Sequence, residues 1–176
     1  MMAMTKEQLA ARIKQAAYLE GEFTLRSGVK SNYYLDKYLF ETQPDILIEL
    51  GRLFAQRAGD VDLIAGAELG AVSLAVATSM ASGKPYVIVR NAKKGYGTGK
   101  QVEGKLPAGA RVLLVEDIVT SGGQVIEAAK SLTESGATVV RIVGTIDRLQ
   151  GGRGSIESAG YSFESLLTRE DLGIKG

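Results

Sequence analysis

Apolar residues recur at helical spacing in the first third of the chain. Over residues 5–19 they fall on one helical face, and Thr5 and Gln8 have the spacing of a capping box. This pattern predicts a first helix that ends before Gly21. Over residues 42–58 the same spacing recurs behind Pro44, which favours the first turn of a helix, so a second helix is predicted there.

Beyond residue 60, short apolar runs alternate with helical patterns. Strands are predicted over residues 61–65, 86–89, 112–115 and 138–145, with helices over 71–81 and 124–135. Strands that are apolar on both faces and separated by helices form parallel sheets through right-handed crossovers. The predicted fold class is therefore α/β, a parallel sheet flanked by helices. Residues 33–38 and 161–167 are expected to be strands outside this alternation, in a small hood made by the N- and C-terminal parts over the strand ends.

Composition narrows the chemistry and the partners. The 176 residues fit one domain spanning 1–176, and the absence of cysteine and histidine excludes thiol nucleophiles, disulfides, imidazole-based triads and His/Cys zinc sites. A net charge of +1 gives no general field for nucleic acid or a membrane surface. With no apolar run of membrane-spanning length and no targeting segment, we expect a cytoplasmic protein that binds neither nucleic acid nor membrane.

Ligands of parallel sheets bind at the carboxyl ends of the strands, and the strand predicted over 112–115 is followed by unusual chemistry. Glu116 and Asp117 come first, and their carboxylates can accept hydrogen bonds from a diol and stabilise a developing cation. Residues 120–123, TSGG, then offer hydroxyls and backbone N–H groups at the start of a helix, which suits a phosphate monoester. An ordinary strand-to-helix turn with an acidic edge is the alternative interpretation.

This order of an apolar strand, two acids, two variable residues, Thr, a small residue and Gly resembles the signature of the type I phosphoribosyltransferases. Four further stretches are similar to the members of that family that act on orotate: residues 23–38, GAELG at 66–70, the basic loop after residue 89, and TIDR at 145–148. The resemblance implies transfer of ribose 5-phosphate from 5-phosphoribosyl-1-pyrophosphate (PRPP) to orotate, with Mg²⁺ as cofactor. It also implies a homodimer with shared active sites.

The resemblance also implies roles for particular residues. Lys94, Glu116 and Asp117 are implied to be catalytic, and the metal is expected to have no direct protein ligand. The residues implied to bind PRPP are Glu68, Leu69, Arg90, Lys93, Lys94, Tyr96, Glu116, Asp117, Ile118, Val119, Thr120, Ser121, Gly122 and Gly123. Those implied to bind orotate are Arg26, Tyr34, Thr120 and Arg148, with Lys30 as a further candidate cation for the ring carboxylate. For Tyr33 and Tyr34, aromatic packing across a hairpin is the alternative role.

Residues 90–105 form a strongly basic segment. They contain five basic residues and one acidic residue, a local charge of +4 in a chain of net charge +1. We expect a glycine-rich lid that closes on a polyanion, and in the resembling family this lid enters the partner's site. Three positions depart from the pattern of many bacterial relatives: Asn91 and Gly70 replace lysines, and Tyr96 replaces a histidine.

Two other functions remain open at this point. A purine or uracil phosphoribosyltransferase would have the same phosphate loop but would not need cations facing a ring carboxylate. A nucleotide-sensing regulator on the same fold would bind nucleic acid through a basic face, yet the basic cluster of this sequence is the predicted lid.

Overall fold

The computed structural model describes residues 3–24, 28, 30–91 and 101–174. Its helices are α1 (Lys6–Ala17), α2 (Lys37–Glu41), α3 (Pro44–Ala58), α4 (Gly70–Ser82), α5 (Gly123–Glu134) and α6 (Gly152–Ser158). Its strands are β1 (Tyr18–Thr24), β2 (Lys30–Leu35), β3 (Leu63–Ala67), β4 (Tyr86–Val89), β5 (Val102–Glu103), β6 (Arg111–Val119), β7 (Thr138–Asp147) and β8 (Phe163–Thr168).

Six strands form the central sheet, in the order β5-β4-β3-β6-β7-β8. Every neighbouring pair is parallel except β4 with β5, which is antiparallel. The predicted α/β class with a parallel sheet flanked by helices is therefore confirmed. In this order β6 is central, and its carboxyl end lies between those of β3 and β7.

Alternate residues of the strands serve two separate cores. Leu113 and Val115 of β6 pack in the core on the side of α1, α3 and α4, whereas Val112 and Leu114 pack in the core on the side of α5 and α6. Because both faces of the sheet are covered, the strands lack the polar alternation of a one-sided sheet.

The N-terminal part confirms the predicted capping box and corrects the boundaries around it. The Thr5 side chain accepts a hydrogen bond from the Gln8 N–H at 3.2 Å, and Gln8 Oε1 accepts one from the Thr5 N–H at 2.9 Å. The helix ends at Ala17, and the chain continues directly as β1, which pairs with β2 in a separate antiparallel hairpin. The sequence did not predict β1, because nearly all of its residues are exposed or half-buried and it has no continuous apolar face.

The strand predicted over 33–38 was placed three residues too far toward the C-terminus, since β2 spans Lys30–Leu35. It ends at Leu35, where Asp36 caps α2 by accepting a hydrogen bond from the Tyr38 N–H at 3.0 Å. The hairpin lies outside the central sheet, as expected. With only five residues, α2 is too short for a helical period to stand out in the sequence.

The segment predicted over 161–167 belongs to the central sheet rather than to a hood. It is β8, which pairs in parallel with β7 after a crossover through α6. Helix α6 contains Gly152 and Gly154, poor helix formers, and this hid the crossover from the sequence pattern. Residues after β8 pack on α1 instead, with Lys6 Nζ 2.8 Å from Asp171 Oδ1.

Among the residues described, no helix combines the length and apolar character needed to cross a membrane.

Candidate active site

Strand β6 carries the two predicted acids at its carboxyl end. The side chains of Glu116 and Asp117 are both buried. Glu116 Oε1 accepts a hydrogen bond from the Asp117 N–H at 3.0 Å, and Asp117 Oδ1 accepts one from the Ile118 N–H. These backbone donors hold both carboxyl groups close to the strand end.

The loop after β6 encloses a cavity of about 410 Å³. Gly122 has a φ of 82° and precedes α5, whose first turn has no side-chain cap. A Cβ at Gly122 would lie 3.0 Å from the Gly152 carbonyl oxygen, so the position requires glycine for both its backbone and its space. The structure thus brings together seven of the fourteen residues predicted to bind PRPP; the cavity is lined by Glu116, Ile118, Val119, Thr120, Ser121, Gly122, Gly123, Gln124 and Val125.

A second cavity of about 460 Å³ adjoins the first and shares Gly123 and Gln124 with it. Arg90 lines it at the end of β4, and its buried Nε has no hydrogen-bond partner among the described residues. Glu68 lies nearby after β3, where its Oε1 accepts a hydrogen bond from the Asn91 N–H at 2.8 Å. Leu69, which follows Glu68, is strongly exposed. The segments after β3 and β4 are therefore linked beside the loop after β6.

Helix α2 contributes a cation that the sequence analysis did not single out. Lys37 Nζ donates a hydrogen bond to Asp117 Oδ2 at 2.7 Å. A Cβ at Gly70 would overlap with that same Asp117 oxygen and would lie 2.8 Å from Lys37 Nζ. Lys37 is 80 residues from Asp117 in the chain, and no spacing rule links them. The one sequence feature that pointed toward Lys37 was Gly70, because a residue without a side chain leaves room for a cation from another part of the chain.

Three carboxyl groups surround this single ammonium group. Burial raises the pKa of Glu41 to about 9, and the charge of Asp117 acts in the same direction. Burial likewise raises the pKa of Glu116 to about 8, again with the help of Asp117. Burial lowers the pKa of Lys37, but its hydrogen bond and charge interaction with Asp117 outweigh this and the net pKa is raised. The cluster therefore contains a Lys37–Asp117 ion pair, while burial disfavours a negative charge on Glu41 and Glu116.

Arg148, predicted to face orotate, lies directly after β7 and contacts the hairpin. Its Nη2 donates a hydrogen bond to the Tyr33 hydroxyl at 2.9 Å, and its guanidinium carbon lies 5.6 Å from the centre of the Tyr33 ring. Tyr33 also stacks on Tyr18 across the hairpin, as the alternative role predicted. Tyr34 is exposed on the opposite face of β2, with its ring centre 5.6 Å from that of Phe23.

Several predicted positions have no described geometry. Arg26, Lys93, Lys94 and Tyr96 lie outside the described residues. Lys30, the further candidate cation, is exposed at the start of β2.

Comparison with known proteins gives the family. Residues 40–160 match the model of the phosphoribosyl transferase domain. The orotate phosphoribosyltransferase of Natronomonas pharaonis is 45% identical over 170 residues, covering 96% of this chain and 98% of that protein. That of Thermococcus gammatolerans is 44% identical over 176 residues, covering 97% and 93%.

Solved structures agree in fold and coverage. The orotate phosphoribosyltransferase of Mycobacterium tuberculosis in complex with Fe(III) dicitrate has a TM-score of 0.87 at 30% identity, covering 96% of this chain and 99% of that chain. The same enzyme in complex with PRPP has a TM-score of 0.82 at 29% identity, with the same coverage. Together with the acids and the loop at the end of β6, these matches show that the chain belongs to the phosphoribosyltransferase family, within its orotate phosphoribosyltransferase group.

Proposed function

We propose that this chain catalyses transfer of the 5-phosphoribosyl group of PRPP to orotate, giving orotidine 5′-phosphate and pyrophosphate in pyrimidine nucleotide synthesis. The observation that carries this proposal is the run from Glu116 to Gly123 at the carboxyl end of strand β6, whose residues other than Asp117 all line one cavity. Similarity to orotate phosphoribosyltransferases over 96% of the chain supports the choice of orotate.

In this reaction the bond from ribose C1′ to the pyrophosphate oxygen breaks, and a bond from C1′ to a ring nitrogen of orotate forms. Positive charge develops on the ribose between these events, so a nearby carboxylate stabilises the transition state. Asp117 supplies that negative charge. Burial raises the pKa of Glu116 to about 8, which favours its protonated form, and either form can hydrogen-bond to a ribose hydroxyl.

The 5′-phosphate of PRPP is assigned to the loop that opens α5. Thr120 and Ser121 are exposed beside the cavity and offer hydroxyl donors, and the exposed Gly123 leaves its backbone accessible. The first-turn N–H groups of α5 lack a side-chain cap, so they are free to donate to a phosphate.

Arg148 is assigned to the ring carboxylate of orotate. Its contact with Tyr33 is to a neutral hydroxyl, so its positive charge is not consumed by that partner. A bidentate pair with a carboxylate is the strongest contact a guanidinium group makes. The roles of Arg26, Tyr34 and Thr120 toward orotate remain predictions from the sequence.

The remaining sequence predictions belong to the same proposal. Pyrophosphate is assigned to the segment containing Glu68 and Leu69, to Arg90, and to the loop residues Lys93, Lys94 and Tyr96. A homodimer with shared active sites, one domain over residues 1–176 and a cytoplasmic location complete it.

Magnesium is also part of the proposal. In the part of the chain that the structure describes, no group of three or more acidic side chains is arranged to coordinate a metal ion. We expect that a Mg²⁺ ion would arrive with PRPP and would have no direct protein ligand, and the carboxylate of Asp117 would supply negative charge that suits a divalent cation. When bound, the ion makes pyrophosphate a better leaving group.

A substrate panel tests the function. Purified protein is mixed with PRPP and either orotate, uracil or hypoxanthine, with and without MgCl₂, and nucleotide products are quantified by chromatography. We expect orotidine 5′-phosphate from orotate with Mg²⁺, and at most traces from the other bases, because cations built to meet a carboxylate stay unpaired without it. Equal rates with uracil would contradict the orotate assignment, and no product from any base would contradict the transferase assignment.

A further inference from the structure

Lys37 lies inside the site but has no role in the function as described above. We propose that Lys37 is a substrate-binding residue whose ammonium group binds the diphosphate of PRPP while keeping its contact with Asp117. This inference rests on the proposed function and deepens it, because it assigns the leaving-group end of the substrate to a residue of α2.

The position of the ammonium group is the first argument. Lys37 Nζ lies 2.7 Å from Asp117 Oδ2 and 2.8 Å from the point where a side chain at residue 70 would begin. Gly70 is the first residue of α4 and directly follows Glu68 and Leu69, the segment assigned to pyrophosphate. The cation therefore lies between the acid that faces the ribose and the segment that faces the leaving group.

Exposure is the second argument. The side chain of Lys37 is 28% exposed, whereas that of Asp117 is 4% exposed. An ammonium group has three N–H donors, and Asp117 Oδ2 takes one of them. With two further N–H donors on a side chain that is partly exposed, the ammonium group can donate to a diphosphate oxygen without breaking the ion pair.

The charges around Lys37 are the third argument. The titratable groups that act on it are Asp117, Glu116 and Tyr38, and it acts in turn on Glu41. Burial disfavours the charged forms of Glu41 and Glu116, and Asp117 is the carboxylate that pairs with the ammonium group at 2.7 Å. The ion pair with Asp117 holds the ammonium group in place before PRPP binds. The negative charge of the diphosphate is then attracted to this ammonium group.

Gly70 completes the argument. Any side chain there would take the space that Lys37 Nζ and Asp117 Oδ2 now fill. Many bacterial relatives have a lysine where this chain has Gly70. In this chain, Lys37 of α2 places its ammonium group beside Gly70 instead.

The test compares ligands that do and do not carry a diphosphate. Lys37→Gln keeps a donor for Asp117 and removes the charge, Lys37→Arg keeps the charge, and Lys6→Gln breaks an ion pair of similar length, 2.8 Å, far along the chain from the site. For each variant, KM values for PRPP and orotate are measured with Mg²⁺. Affinities for sodium pyrophosphate with Mg²⁺ and for ribose 5-phosphate are measured by calorimetry, after thermal unfolding has shown that the protein is folded.

We expect Lys37→Gln to weaken PRPP and pyrophosphate about 10-fold to 100-fold, the loss of one charge-assisted hydrogen bond. Ribose 5-phosphate affinity and the KM for orotate should stay within about threefold, Lys37→Arg should recover much of the loss, and Lys6→Gln should match wild type. Equal weakening of pyrophosphate and ribose 5-phosphate would overturn the proposal, because Lys37 would then act through Asp117 alone. Unchanged pyrophosphate affinity would also overturn it. A wild-type protein that binds neither PRPP nor pyrophosphate would instead overturn the proposed function, and with it this role.

Discussion

Neighbouring acids at the end of β6 differ in charge because their surroundings differ. Asp117 has the ammonium group of Lys37 at 2.7 Å, while burial keeps the pKa of Glu116 near 8. Glu41 is buried as well, and its Oε1 has no hydrogen-bond partner among the described residues. The cluster thus concentrates its negative charge on Asp117, the residue assigned to the developing cation.

Glu41 should make stability depend on pH. Its carboxyl group ionises near 4.5 in the unfolded chain and near 9 in the folded protein, so the folded state holds the extra proton between these values. Stability should therefore fall as pH rises through this window, and Glu41→Gln should reduce the fall. We expect thermal unfolding to show a Tm that drops by several degrees less between pH 6 and pH 9 in Glu41→Gln than in wild type. Parallel curves would contradict the buried, protonated state of Glu41.

Gly70 should not tolerate even a methyl group. In Gly70→Ala the new Cβ would displace Asp117 Oδ2 and crowd Lys37 Nζ, so kcat/KM for PRPP should fall about 10-fold or more while the protein stays folded. Gly154→Ala is the matched control, because a Cβ there meets nothing within 4 Å. Activity of Gly70→Ala equal to that of the control would mean that this crowding does not matter to the site.

At the scale of elements, the sequence predicted the helices and strands that have a clear hydrophobic period. It missed the elements whose formation depends on pairing with distant segments. The strand over 86–89 has the predicted limits, and the helices over 71–81 and 124–135 differ from α4 and α5 by one residue at each end. By contrast, β1, β5, α2 and α6 were missed. They are short, glycine-containing or exposed, and their formation depends on partners elsewhere in the chain.

The candidate site divides in the same way. The run from Glu116 to Gly123 is contiguous, so a local motif identified it completely. Lys37 and Tyr33 enter the site through α2 and the hairpin, whose placement depends on tertiary contacts. The role of Tyr34 toward orotate stays a prediction, and the structure adds that the neighbouring Tyr33 contacts Arg148.

The hydrogen bond between Tyr33 and Arg148 joins the hairpin to the end of β7. If it orients the guanidinium group for orotate, Tyr33→Phe should raise the KM for orotate about threefold to 10-fold and leave the KM for PRPP nearly unchanged. Tyr161→Phe serves as the control, since Tyr161 packs beside the other core. An unchanged KM for orotate in Tyr33→Phe, measured by steady-state kinetics, would argue against this orienting role.

At the scale of the whole molecule, the sheet order explains why distant segments form one site. The acids and the phosphate loop follow β6, the proposed pyrophosphate segment follows β3, and Arg148 follows β7. These three strands are neighbours in the sheet. Parallel strands bring their carboxyl ends to one edge, and α2 lies close enough to place Lys37 on Asp117 there. The fold thereby places along one edge the groups that the proposed function assigns to ribose, phosphate, diphosphate and base.

The most direct test of this account is the initial rate of orotidine 5′-phosphate formation from orotate and PRPP with Mg²⁺, compared between wild type and Asp117→Asn. Asp171→Asn is the control, because it makes the same substitution in another Lys–Asp ion pair, the one between Lys6 and Asp171. We predict steady product formation by wild type and by the control, and a loss of about 100-fold or more in Asp117→Asn. No product from wild type, or a near-normal rate from folded Asp117→Asn, would contradict the account.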